Sequence, residues 1–164
     1  MHLYFAYGSN MLPRQMAERC PGARPLGAAT LRDWRFIITT RGTANIERER
    51  GASVHGVLWS CHQAHLRRLD LFEGVHWNNY IRRMELVDFG GERHWTAAFT
   101  YVSARRYRAR ARPNYMLTAV MPGARAFGLP AHYMAELESW MPDYAGGAAN
   151  NRYRGRRRLR PGKR

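Results

Sequence analysis

Tyr4-Phe5-Ala6-Tyr7-Gly8-Ser9-Asn10-Met11 runs from an apolar, aromatic segment straight into a small polar turn. Leu3 to Tyr7 reads as a first strand buried on both faces. Asn10 is placed to cap a short helix reaching about Arg19, with Pro13 tolerated in its first turn and Pro21-Gly22 ending it. A strand that stops at Gly-Ser-Asn and passes at once into a helix leaves several backbone N–H groups free at one point. Those groups, at the positive end of the helix dipole, favour an anion or a polarised carbonyl oxygen. These first residues therefore read as part of a site.

Outward from that turn, strands dominate. Residues 29–40 are β-branched and aromatic, and Gly42 breaks them. Thr43 to Ile46 is expected to pair with Val54 to Trp59 across a polar turn at 47–53. A helix follows from about Cys61 to Glu73, stopped by Gly74 at a position that prefers a left-handed residue. Further strands are predicted at 80–88, 94–102 and 116–121. Gly128-Leu129-Pro130 introduces a last helix, with Tyr133, Leu137 and Trp140 or Met141 on one face and Pro142 at its end. Strands that do not alternate regularly with helices point to an α+β fold rather than a doubly wound one.

The length of 164 residues and a hydrophobic content of 45% fit one globular domain, taken as 1–145, followed by a basic tail at 146–164. The net charge of +15 is concentrated. Residues 152–164 and the run Arg105 to Arg112 hold thirteen cations and no acid, so the rest of the chain is nearly neutral. An Arg tail of this kind can contact polyanions non-specifically, although such runs are usually solvated. No window approaches the roughly eighteen apolar residues of a membrane span, and no signal peptide is evident. Cys20 and Cys61, without metal-ligand spacing, suit a reducing cytoplasm. Cys61, His62 and His65 lack the distant second half that a zinc site needs. Ser9 lies in no Gly-x-Ser-x-Gly elbow, and its hydroxyl is expected to bond within the turn.

One residue breaks the helical pattern of 61–73. Leu66, Leu69, Asp70 and Glu73 fall on one stripe, with Glu73 near its middle. A carboxylate on a core-facing stripe either pairs with an arginine or, held without a full partner, has a raised pKa and becomes a proton acceptor near neutrality.

Tyr7-Gly8-Ser9-Asn10, Gly56-Val57-Leu58-Trp59, Leu69-Asp70, Glu73-Gly74, Tyr80 and Gly128-Leu129-Pro130 with Tyr133 together resemble the gamma-glutamylcyclotransferase family, over about residues 3–144. The resemblance implies a compact mixed β-barrel with surrounding helices. It implies release of 5-oxoproline and a free amine from a gamma-glutamyl compound without metal or cofactor. It gives Glu73 the role of acid/base catalyst, and Tyr7, Gly8, Ser9, Asn10 and Tyr80 roles in binding a small gamma-glutamyl substrate. Arg41 with Gly42 to Asn45 is similar to a pocket-side strand of the family, and His76 to Asn79 stands where a leaving-group pocket is shaped. The alternatives are a gamma-glutamylamine as substrate, or a non-catalytic binding module tethered by its Arg tail.

Overall fold

Two long strands organise the molecule, a computed structural model that describes residues 1–91, 94–103, 110–112 and 114–141. β2 (Arg24–Ile38) and β3 (Ala44–Cys61) form an antiparallel hairpin paired from Arg24↔Ser60 to Ile38↔Ala44. β1 (His2–Ala6) pairs antiparallel with the end of β3, from His2↔Cys61 to Ala6↔Val57. β4 (Ile81–Asp88) and β5 (Trp95–Val102) form a second hairpin, joined to β2 at Thr30↔Asp88. A parallel pairing of Tyr4 with Phe99 closes the sheet into a barrel in the order β1-β3-β2-β4-β5. This is the α+β barrel that the sequence predicts.

Around it lie a 3-10 turn (Ser9–Met11), α1 (Pro13–Arg19), α2 (Gln63–Phe72), α3 (Met121–Ala126) and α4 (Ala131–Glu138). Phe5, Phe36, Leu58 and Trp59 from the sheet meet Met11, Met16, Leu66 and Tyr133 from these segments in one buried cluster. Gly56 allows the closest approach within it. A Cβ there would stand 2.3 Å from the Ala6 carbonyl oxygen and 2.8 Å from the Phe5 ring.

Five expectations are corrected. Residues 47–53 are strand, not turn. The reversal lies at 39–43, where Gly42 takes φ +72 and donates its N–H to Thr39 O at 2.8 Å. The charged run there belongs to β3, where Arg35 on β2 pairs across the hairpin with Glu47 and Glu49. Residues 116–121 are helical, a wide π-type turn (Met116–Val120) leading into α3. Met116, Val120 and Ala124 are buried at helical spacing, which outweighs the strand propensity of Thr118 and Val120. Asn10 caps no helix; Leu12 precedes α1, and the Asn10 side chain is spent elsewhere. The helix read over 61–73 is shorter, because Cys61 ends β3. β2 begins at Arg24, earlier than the predicted residue 29. The 146–164 tail, Pro142 and residues 104–109 of the basic run lie outside the described residues. No helix of the described residues is long and apolar enough to cross a membrane.

Candidate active site

β1 delivers the chain to the turn at one end of the barrel. Met11 N–H donates to Gly8 O at 3.0 Å and Leu12 N–H to Ser9 O at 3.1 Å. The N–H groups of Ser9 and Asn10 precede the first such bond, and that of Ser9 faces the Tyr115 hydroxyl. The absence of a side chain at Gly8 lets the turn sit against the start of β3: a Cβ would lie 2.9 Å from Ala44 Cβ and 3.2 Å from the Tyr115 hydroxyl. From behind, α3 presses Gly123 onto the backbone of Met11 and Leu12.

α2 brings in the carboxylate. Leu66 and Leu69 are buried beneath it, and Glu73 ends the helix with its N–H bonded to Leu69 O at 2.8 Å. Gly74 then takes φ +64, as the left-handed position requires. The Glu73 side chain keeps only 17% of its surface exposed. Its Oε1 accepts from Asn10 Nδ2 at 3.1 Å and stands 3.6 Å from Arg19 Nη1. Its Oε2 has no partner among the described residues. Burial pushes the Glu73 carboxyl above the ordinary carboxylate range, and Arg19 and the Asn10 amide pull it part of the way back.

Asn10 holds this arrangement in register. It is buried and uses all four of its hydrogen-bonding positions. Nδ2 donates to Glu73 and to the Tyr4 hydroxyl, at 2.8 Å for the latter. Oδ1 accepts from Gln15 Nε2 at 3.0 Å and from Arg19 Nη1 at 2.8 Å. Arg19 is itself stacked on the Phe72 ring at 4.9 Å. These side chains tie the turn after β1, α1 and the end of α2 together.

A cavity of about 290 Å³ opens here, and all six residues singled out in the sequence (Tyr7, Gly8, Ser9, Asn10, Glu73 and Tyr80) line it. Several of their hydroxyls are already used by the fold. Tyr7 donates to Tyr101 O, Tyr80 donates to Ala44 O at 2.6 Å, and Ser9 Oγ accepts from Gln15 at 2.7 Å. Burial raises the phenols of Tyr4, Tyr7, Tyr80, Tyr101 and Tyr115, so all five stay neutral at any physiological pH. Their rings wall the cavity and their hydroxyls brace it. Tyr101 also donates to Asp70 Oδ1 at 2.7 Å, and Arg82 pairs with Asp70 Oδ2 at 2.9 Å.

Sequence reasoning missed Tyr4, Arg19, Tyr101, Arg112 and Tyr115, which also line the cavity. Tyr115 could not be found while 116–121 read as a strand. Arg112 was hidden in a run read as solvated. Arg19 left a signal, because it ends the helix that begins at the turn. His62 and His65 are occupied in capping α2, with His65 Nε2 against Pro21 O at 2.9 Å. Among the described residues no cluster of three or more His, Cys, Asp or Glu is placed to hold a metal ion.

Residues 4–127 match the model of a family described as gamma-glutamyl cyclotransferase, AIG2-like. The chain belongs to this family of enzymes. It is similar to the gamma-glutamylcyclotransferases of Homo sapiens and Bos taurus, at 31% identity over 155 residues in each case, covering 88% of this chain and 81% of those proteins. A solved gamma-glutamyl cyclotransferase structure superimposes with a TM-score of 0.79 at 28% identity, covering 91% of this chain and 94% of that one. The family match spans every residue that lines the cavity described above.

Proposed function

We propose that the pocket cyclises a gamma-glutamyl compound to 5-oxoproline and releases a free amine, with Glu73 carrying the proton. The observation that supports this most is the half-held carboxylate: Oε1 is fixed by Asn10 and Arg19 while Oε2 is left for the cavity. In this reading the glutamyl end lies against the Gly8 to Asn10 turn and the tyrosine walls. The α-amine nitrogen attacks the γ-carbonyl carbon and closes a five-membered ring. Because the nucleophile is tethered, holding the chain curled supplies up to ~7–11 kcal/mol of the barrier.

Glu73 takes the proton that the attacking nitrogen loses and returns it to the leaving nitrogen as the old C–N bond breaks. A carboxyl raised by burial is suited to both steps, because its proton affinity approaches that of the groups it serves. Backbone N–H groups of the turn would meet either the α-carboxylate or the oxyanion of the tetrahedral intermediate. The neutral phenols of Tyr7 and Tyr80 shape the pocket and do not compete for the proton. The reaction is expected in a reducing cytoplasmic setting.

The test is direct. Incubation of the protein with a panel of gamma-glutamyl dipeptides and gamma-glutamylamines should release 5-oxoproline from at least one. Silence across the panel sinks the proposal.

A further inference from the structure

The pocket wall carries more positive charge than its one acid can use. Glu73 and Arg19 answer one another. Two more arginines, Arg41 and Arg112, line the same cavity, and neither has a carboxylate partner among the described residues. Arg41 Nη1 donates to Asn79 Oδ1 at 2.8 Å, a neutral acceptor. The Arg112 guanidinium lies over the Tyr115 ring at 5.4 Å.

Both side chains are exposed, but both are anchored to the pocket. Asn79, which holds Arg41, packs against Gly74, where a Cβ would stand 2.4 Å from Asn79 Nδ2. Arg41 is thus steadied by the residue that follows Glu73. Arg112 is steadied one residue further along β2–β3: its N–H donates to Gly42 O at 3.0 Å, and its Cγ would lie 2.4 Å from a Cβ on Gly42. Two guanidinium groups therefore reach the mouth from neighbouring positions.

We infer that Arg41 and Arg112 form a leaving-group subsite that selects gamma-glutamyl compounds whose departing amine is an acidic amino acid. This rests on the cyclisation reading above. With the glutamyl end at the buried turn and its γ-carbon beside Glu73, the departing amine extends towards the exposed mouth. A neutral amine leaves Arg41 with the Asn79 amide and Arg112 with the Tyr115 ring, and gives neither charge a carboxylate. An amino acid bearing a side-chain carboxylate besides its α-carboxylate gives each of them a partner, in charge-assisted bonds that the planar fork of Arg suits.

The test compares gamma-glutamyl-glutamate with gamma-glutamyl-glutamine, which differ by one charge at nearly constant shape. The acidic substrate should have a kcat/KM about fivefold or more higher at low salt, carried mainly by KM, as expected for exposed pairs of this kind. That ratio should shrink towards one as the Debye length falls from about 30 Å to about 3 Å between about 0.01 M and 1 M ionic strength. In the double variant Arg41→Gln/Arg112→Gln the ratio should fall to about one, and in Arg41→Lys/Arg112→Lys it should persist in part. Thermal melting of both variants checks that the fold survives. Equal rates for the two substrates, or a ratio that outlasts the Gln variant, overturn the subsite and leave cyclisation standing. Release of 5-oxoproline from neither of these nor any other gamma-glutamyl compound overturns the cyclisation reading and the subsite with it.

Discussion

Two of the carboxylate–arginine clusters on this barrel are built to opposite ends. On the long hairpin, Arg35 engages both Glu47 and Glu49, with Nη1 2.8 Å from Glu49 Oε2. At the end of the barrel, Arg19 stays 3.6 Å from Glu73 and gives its closer bond to Asn10. The first arrangement draws two acids onto one guanidinium and fastens two strands. The second leaves an acid buried, held on one side and open on the other. An ion pair drawn tight is a structural clasp, whereas one held off by a neutral amide leaves a carboxylate that can still exchange its proton.

The contrast can be broken from either side. The largest effect expected is on the pocket side, where Glu73→Gln keeps the Asn10 bond but removes the proton carrier. Initial rates of 5-oxoproline release should fall by about 10²–10⁴-fold. Next comes Gly56→Ala, which drives a Cβ into the Ala6 carbonyl beneath β1. It should destabilise the barrel by roughly 3 kcal/mol, lowering the melting temperature by about 6–12 °C.

Arg19→Met sharpens the comparison through pH. Arg19 lowers the Glu73 carboxyl against the larger effect of burial, so its loss lets that carboxyl rise further. Turnover needs the ionised form, and the acid limb of the pH–rate profile should therefore move to higher pH. A profile that keeps its acid limb would show that Arg19 acts on folding alone. Stability gives the same titration the opposite sign. A raised folded-state carboxyl contributes stability below its unfolded value, lost as pH rises through its folded value. Glu73→Gln does not titrate, so its melting temperature should gain on the wild type from about pH 4 towards pH 8.

The smallest effect belongs to the hairpin clasp. Arg35→Gln should cost about 1 kcal/mol in chemical denaturation, with kcat/KM unchanged.

Most of the pocket was visible in the chain because its two halves are local signals. A buried strand running into Gly8-Ser9-Asn10 announces free backbone N–H groups, and Glu73 stands out as an acid on the apolar stripe of its helix. The α+β class followed from the strand pattern and the barrel from the family resemblance, although 47–53 has the composition of a loop because Glu and Arg alternate along that part of β3. What stayed hidden depends on distance in space rather than in sequence. Nothing in Asn10 itself announces that it joins Tyr4, Arg19 and Glu73, since β1 brings in the first and the packing of α1 against α2 the other two. Tyr115 and Arg112 reach the pocket only because residues 116–126 are helical and seat against the turn.

The central claim is that Glu73 carries the proton and does not merely support the pocket. Turnover and affinity for 5-oxoproline, the latter by calorimetry, should be measured side by side for the wild type and Glu73→Gln. The account predicts that affinity stays within a few-fold while turnover is lost. Near-normal turnover in the variant, or a loss of turnover matched by an equal loss of affinity, would contradict it.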